Sequence, residues 1–204
     1  MRKGFTLIEM LVVIGIIMIL IGASLAGYKG MIASAQKTRA NELVHDAVTA
    51  LVQVMQVEDA WPRPILAEGA SGKGKMTSEV GAALARHGAM TLTYRKVSEN
   101  GTDRYELSGL DKFGVVDPWG AAVVKSLIKK SSLSLATKVP TGGTLEDHLL
   151  RFAIDDDYDG RVTVSGDGVS ATIRASAVVW GAGRDGVFGT RDDLRSWSRD
   201  QEER

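Results

Sequence analysis

The residues with the clearest chemical potential are aspartates. The acidic run at residues 155–160 matches the opening of an EF-hand loop, in which Asp155, Asp157 and Asp159 would offer hard oxygen ligands. The twelfth position of that loop is Gly166, so the bidentate glutamate is missing. Asp and Gly also tolerate the backbone angles of a tight turn. The pattern therefore favours a polar β-turn or hairpin tip. The alternative is a calcium site, which would be the second one after that predicted below for the C-terminal loop.

No arrangement for catalysis is recognisable in the sequence. It contains no nucleophile–base pair, phosphate-binding glycine loop or histidine–carboxylate metal set. The three histidines, His45, His87 and His148, lack metal-ligand spacing and are predicted to be surface or cap residues. Cysteine is absent, which excludes disulfides and thiolate metal sites. We expect a protein that is not an enzyme; a membrane-tethered hydrolase with an aspartate-bound metal is the alternative.

The bulk composition excludes other classes. At 204 residues the chain has room for one ordinary domain and an extended element. Its formal net charge is zero and 44% of its residues are hydrophobic. These values suit neither a nucleic-acid-binding protein nor a highly charged disordered chain.

The N-terminal segment reads as a membrane anchor. Residues 5–27 are almost wholly apolar, and a bilayer-spanning helix needs about 20 such residues. Arg2 and Lys3 precede them, which predicts a cytoplasmic N-terminus and an exported remainder. Glu9 is exceptional, because an unpaired carboxylate inside a bilayer costs about 2.5–3.5 kcal/mol or more. Cleavage after Gly4 would supply a cation, the new α-ammonium of Phe5; an anchor with a tolerated glutamate is the alternative.

Residues 2–11 resemble the processing motif of type IV prepilins and type II secretion pseudopilins. The resemblance implies that a prepilin peptidase cuts after Gly4 and methylates Phe5, and that Glu9 guides docking in a growing filament. It also implies an inner-membrane assembly platform and other pilin-like subunits, both a homopolymer and minor subunits, as partners, and no nucleic acid. The implied organisation is a leader (1–4), a transmembrane or filament-core helix (5–27), its amphipathic continuation (28–60) and a globular head (61–204).

Beyond residue 27 the apolar pattern becomes one-sided, as in a helix that packs on a domain. The predicted apolar stripe consists of Ile32, Ala35, Arg39, Leu43, Ala47, Leu51 and Met55, widened by Val44, Val48 and Val54. Pro62 and Pro64 end the pattern. The prediction is one helix over residues 5–59, with two helices broken near residues 27–30 as the alternative.

The remainder predicts a small antiparallel sheet, which with the long helix makes an α+β, pilin-like fold. Residues 64–75 read as a loop and residues 77–87 as a helix that starts at Ser/Thr and stops before Gly88. Residues 121–146 fit no period and read as an insertion with a short helix near 123–130. The predicted strands are residues 91–96 and 103–108, joined by a turn at 99–101, then 149–154, 161–164, 171–175 and 177–180.

Two head segments resemble major pseudopilins of type II secretion more narrowly. Residues 117–120, Asp-Pro-Trp-Gly, are similar to a turn of that group, and residues 183–197 are similar to its calcium loop. The resemblance implies that Asp185, Asp192 and Asp193 hold one calcium ion. Calcium does take six to eight hard oxygen ligands. The alternative is a solvated acidic loop neutralised by its three arginines, Arg184, Arg191 and Arg195.

The expected function follows from both ends of the chain. We expect a structural subunit of a type II secretion pseudopilus, assembled from the inner membrane into a periplasmic filament that drives protein export. The subunit would cross the membrane once, with a cytoplasmic N-terminus and a periplasmic head. The alternative is a type IV pilus subunit for adhesion, motility or DNA uptake.

Overall fold

The structure, a computed structural model, describes residues 6–99, 102–129 and 133–203. The chain divides into two compact units, Met1–Thr38 and Arg39–Arg204. The predicted processing residues Gly4 and Phe5, and most of the predicted turn at 99–101, lie outside the described residues.

Helix α1 spans Leu7–Glu58, 52 residues without an interruption near residues 27–30. The prediction of one long helix is therefore confirmed over the described residues, and the two-helix alternative is wrong. The helix ends where Asp59 takes a left-handed φ of 56°, three residues before Pro62. Within the described residues, no helix has the combined length and apolar character needed to cross a membrane.

The second unit buries one stripe of α1. Its centre consists of Ala40, Val44, Ala47, Leu51 and Val54, each with no exposed surface. Leu43 and Met55, which were predicted to lie on the stripe, are only partly buried against the same core. The stripe is thus rotated by about one residue from the prediction, because Ala40 rather than Arg39 faces the core.

The segment predicted as a loop at residues 64–75 is instead a short helix and a strand. Helix α2 spans Arg63–Gly69, with a proline in its first turn, and strand β1 spans Gly74–Lys75. Ile65 is fully buried, and a Cβ at Gly69 would lie 2.6 Å from the Phe152 ring. Gly69, read as a loop residue, is therefore a point where the backbone approaches the core closely.

The next helix and the second strand of the hairpin after it lie within one residue of their predictions, whereas the first strand of that hairpin begins three residues later than predicted. Helix α3 spans Ser78–Arg86, and Gly88 beyond it has a φ of 68°. Strands β2 (Tyr94–Glu99) and β3 (Thr102–Leu107) pair antiparallel as a hairpin. The hydroxyl of Ser78 accepts the Leu107 N–H at 2.8 Å, which ties the hairpin to the start of α3.

The head contains small antiparallel sheets, three among the described residues, and with the long helix they confirm the predicted α+β, pilin-like fold. One sheet has the order β1–β4–β7–β8, the second is the β2–β3 hairpin, and the third has the order β5–β6–β9. The remaining strands are β4 (Arg151–Ile154), β5 (Val162–Gly166), β6 (Val169–Ile173), β7 (Ala177–Gly181), β8 (Leu194–Arg195) and β9 (Glu202–Glu203).

Strands β4 and β7 are buried on both faces. On one face, Phe152 and Val179 pack in the core that includes the α1 stripe. On the other, Ala153 and Trp180 pack against the β5–β6 side chains and Trp197. Because β4 and β5 belong to different sheets, the acidic residues 155–160 form a crossover between sheets and not a hairpin tip.

Helix α4 spans Pro118–Leu127, so it begins five residues before the short helix predicted at 123–130. The chain from residue 133 to 149 is irregular, yet Leu133, Val139 and Leu145 enter the main core. The predicted insertion is therefore part of the head's interior, where isolated apolar side chains anchor an aperiodic segment.

Candidate functional site

The first turn of α1 is capped by its own side chains. The backbone N–H and hydroxyl of Thr6 donate to Glu9 Oε2 at 2.8 and 2.7 Å, and the Glu9 N–H reaches the Thr6 hydroxyl at 3.4 Å. This reciprocal arrangement is a capping box. Glu9 thus has a second role beside the predicted one in assembly, since it satisfies donors that a helix start leaves without partners.

The following turns expose apolar surface. From Leu7 to Ile21, the large apolar side chains are between 43% (Met10) and 85% (Leu7) exposed. Removal of an apolar surface of this extent from water, by lipid or by other protein, lowers the free energy.

The Asp-Pro-Trp-Gly sequence forms the start of α4. Asp117 is the N-cap, and its Oδ1 accepts the backbone N–H groups of Trp119 and Gly120 at 3.0 and 2.9 Å. Pro118 occupies the first helical position, where a missing N–H costs nothing. Gly120 is required by packing, because a Cβ there would lie 2.4 Å from Val116 and 2.8 Å from the Cβ of His148.

Asp117 and His148 form a buried pair. Asp117 has no exposed surface and His148 is 1% exposed, so the prediction of a surface or cap residue is wrong for His148. The ring Nδ1 lies 2.6 Å from Asp117 Oδ2, and Nε2 lies 2.9 Å from the carbonyl oxygen of Gly142. Burial by itself would lower the pKa of His148, but the hydrogen bond and charge of Asp117 outweigh it and raise that pKa.

The carboxylates of the C-terminal loop bind the loop's own backbone. Asp192 Oδ2 accepts the N–H groups of Arg184 and Asp185, and Asp193 accepts those of Gly189 and Thr190. Burial alone would raise the pKa of Asp192, but bonds from the Thr190 hydroxyl and these backbone donors lower it.

Asp185 also caps its own turn, since its Oδ1 accepts the Val187 N–H at 2.9 Å. The predicted ligands Asp185, Asp192 and Asp193 therefore lie in one loop but turn toward different donors. Of the three arginines predicted to neutralise the loop, Arg195 places its Nη2 3.8 Å from Asp193 Oδ2.

The acidic run at 155–160 converges more tightly. Asp155, Asp157 and Asp159 can each place one carboxylate oxygen within 4.8 Å of the others, which no other acidic trio does within the part of the chain that the structure describes. Asp155 is 5% exposed and accepts the N–H groups of Asp159 and Gly160. Burial raises its pKa, and crowding by the neighbouring carboxylates adds to that effect. Trp61 Nε1 donates to the Asp155 carbonyl at 2.7 Å and anchors the loop.

The donor sets differ in how well they suit calcium. Both loops offer the hard oxygens that calcium prefers. The carboxylate oxygens of Asp155, Asp157 and Asp159 lie close together, which those of the C-terminal trio do not among the described residues. In both loops the carboxylates also accept backbone N–H groups. Calcium binding at either loop stays a prediction.

Sequence reasoning missed three structural residues. Thr6, three residues before Glu9, is a readable capping-box signature. Arg151, inside an apolar strand, needed a partner once buried; it bonds Asp167 Oδ2 and the Leu149 carbonyl, each at 2.9 Å. Nothing in the local sequence indicated the burial of His148, because its partner Asp117 is 31 residues away.

The N-terminus of the chain matches a known sequence family. A family model described as the prokaryotic N-terminal methylation motif matches residues 1–25. The chain is 31% identical to the type IV major pilin protein PilE of Neisseria gonorrhoeae over 104 residues, which cover 49% of this chain and 60% of that protein. It is 34% identical to the fimbrial protein EcpC of Eikenella corrodens over 97 residues, 46% of this chain and 63% of that protein.

The aligned part of the chain thus spans less than two thirds of either relative. No solved structure matches the chain. The methylation motif, the long N-terminal helix, the antiparallel head and these two relatives together support a type IV pilin-like superfamily for this chain.

Proposed function

We propose that this protein is a structural subunit of a pilin-type filament, cut after Gly4 and assembled from the inner membrane. The observation that carries the proposal is the N-terminal segment, where exposed apolar side chains surround a single carboxylate, Glu9. In a bilayer, lipid covers this surface; in a filament, the same surface of neighbouring subunits covers it. The subunit supplies no catalysis, and its work is reversible transfer between these two environments.

Glu9 gives the transfer its direction. Cleavage after Gly4 creates an α-ammonium on Phe5, and this cation on one subunit can pair with Glu9 of the next. Pairing is favourable in an apolar environment, because it removes the free-energy cost of an uncompensated charge there. Prepilin peptidase and an inner-membrane assembly platform are the partners that this scheme requires. The head would lie in the periplasm and the N-terminus in the cytoplasm.

Among filament types, we propose a type II secretion pseudopilus that drives protein export. Two segments support this: the Asp-Pro-Trp-Gly start of α4 and the acidic C-terminal loop, both similar to major pseudopilins. A type IV pilus for adhesion, motility or DNA uptake is the second candidate, favoured by the names of the two relatives, a major pilin and a fimbrial protein.

Mass spectrometry of the mature N-terminus tests the processing step. The expected chain begins at Phe5 and carries one added methyl group. A chain that begins at Met1, or beyond residue 26, contradicts the proposal.

Cysteine crosslinking between N-terminal helices in cells tests the role of Glu9. We expect Glu9→Ala to remove filament crosslinks while the protein remains in the membrane fraction. Glu42→Ala is the matched control, since Glu42 is an exposed carboxylate on the same helix. Equal crosslinking in both variants would exclude Glu9 from assembly.

Deletion of the gene separates the two filament types. If the protein is a pseudopilus subunit, its deletion should remove exported proteins from the medium and leave surface fibres unchanged. If it is a pilus subunit, its deletion should remove surface fibres, adhesion or DNA uptake and leave export unchanged.

A further inference from the structure

The ring of His148 faces a hydrogen-bond acceptor at each nitrogen. Nδ1 lies 2.6 Å from the Asp117 carboxylate and Nε2 lies 2.9 Å from the Gly142 carbonyl oxygen. A neutral imidazole carries one N–H, so it can serve only one of these acceptors. The imidazolium carries two and satisfies both.

Backbone donors favour the anionic form of Asp117. Its Oδ1 already accepts two backbone N–H groups at the start of α4, and Oδ2 faces His148. A proton on this carboxyl could lie only on Oδ2, where it would be donated to Nδ1 of a neutral ring. Burial raises the pKa of Asp117 and favours that form, whereas the bonds from His148, Gly120 and Trp119 oppose it.

The other acidic groups nearby are Asp147, beside His148 in the chain, and Asp185 in the C-terminal loop. The Asp147 carboxylate accepts from Thr144, and that of Asp185 accepts from Val187.

The same ring lies against the C-terminal loop. A Cβ at Gly186 would come within 3.0 Å of His148 Nε2 and of the Gly142 carbonyl oxygen. A Cβ at Gly142 would meet the Asp185 carbonyl oxygen. The His148–Gly142 bond thus lies in close contact with residues 185–186 of the C-terminal loop.

We propose that His148 is kept as an imidazolium that fastens the C-terminal loop, residues 183–193, to the start of α4, and that this fastening is released when the ring loses its proton. The device is independent of which filament the subunit builds. It would make the loop a pH-sensitive part of the head surface.

The direction of the pH effect follows from the raised pKa of His148. A pKa higher in the folded than in the unfolded chain means that the folded state binds the proton more tightly. The stabilisation is complete below the ordinary value of 6.5 and is lost as the pH rises through the folded pKa. The loop is therefore expected to loosen on the alkaline side.

Two measurements on the full chain in detergent micelles test the proposal. The first is NMR titration of ¹⁵N-histidine ring signals, with exposed His45 as the reference in the same sample. We expect His148 to carry both ring protons at neutral pH and to titrate at a higher pH than His45. A His148 ring with one proton, or one that titrates below His45, would overturn the proposal.

The second measurement is amide hydrogen exchange, expressed as protection factors to remove the intrinsic effect of pH. Protection of residues 183–189 should fall about tenfold above the His148 midpoint, as for the loss of one charge-assisted hydrogen bond. Protection in the hairpin residues 94–98 should not change. Unchanged protection of 183–189 across the His148 titration would contradict the coupling.

Asp117→Asn supplies the matched variant, because an amide keeps an oxygen for the helix cap but removes the charge. We expect the His148 midpoint to move down and loop protection at neutral pH to fall. His45→Gln, a change on the exposed face of α1, should alter neither. If Asp117→Asn does not fold, the two wild-type titrations still decide the question.

Discussion

Along helix α1, apolar side chains of the same types meet two different environments. Those of residues 7–21 are exposed, whereas those of residues 40–54 include a fully buried stripe in the head. The composition differs accordingly: the first segment is apolar on all sides, and the second is apolar on one. A one-sided helix finds its cover within its own chain, and an all-round apolar helix must find it elsewhere.

The charged groups show the same contrast. In the head, the buried ionisable side chains of Asp117, His148 and Arg151 meet partners from other elements. In the N-terminal segment, Glu9 bonds only its neighbour Thr6 among the described residues. The three side chains of the head are thus paired across the tertiary structure, whereas the described partner of the Glu9 carboxylate lies in its own helical turn.

The largest expected effect comes from removing a buried side chain of the second segment. Leu51→Ala should destabilise the head by about 2–5 kcal/mol, because the fully buried side chain leaves a cavity. Thermal unfolding of the full chain in micelles measures the change. Ile14→Ala is the matched control and should leave the head's midpoint unchanged, since Ile14 is 53% exposed. Equal losses in the two variants would remove the contrast between the segments.

A smaller loss is expected from adding one methyl group. Gly120→Ala places a Cβ against Val116 and His148 and should cost about 1–3 kcal/mol by overpacking. For a head of this size, 1 kcal/mol corresponds to about 2–4 °C in the midpoint. Gly22→Ala, in α1 with no atom within 4 Å of the added group, should not lower the midpoint. An unchanged midpoint for Gly120→Ala would mean that the start of α4 shifts to accommodate the methyl group.

Calcium should act on the head alone. If a loop binds it, calcium at tenfold its dissociation constant adds about 1.4 kcal/mol to the head, by the mass action of a ligand bound to the folded state. Crosslinking through residues 7–21 should not respond. Calcium titrations of Asp157→Ala and Asp193→Ala identify the loop, since the variant in the binding loop loses the shift. No shift in the wild-type protein would remove calcium from the account.

The local elements of the head were predictable where one signal decided them. Helix α3 has a Ser/Thr start and Gly88 beyond its end, and the β2–β3 hairpin shows alternation around a turn. Helix α2 was missed because the glycines of residues 64–75 suggested a loop, although Gly69 is required by its close approach to Phe152. That reason lies in a strand more than eighty residues away, so no local pattern could supply it.

The candidate sites divide in the same way. The processing motif around Gly4, Phe5 and Glu9 is local, and so are the two acidic loops. Which carboxylates gather was not readable: the trio from Asp155 to Asp159 converges, while Asp185, Asp192 and Asp193 cap separate backbone groups.

By itself, the sequence determined the long helix, the change from all-round to one-sided apolar character, and the motif that makes this chain pilin-like. These are properties of short windows, governed by helical periodicity and by the cost of an isolated charge. Only the tertiary structure decided the three-sheet head and the buried His148–Asp117 pair. Both bring together residues distant in the chain, and a charge can be buried only after folding supplies its partner.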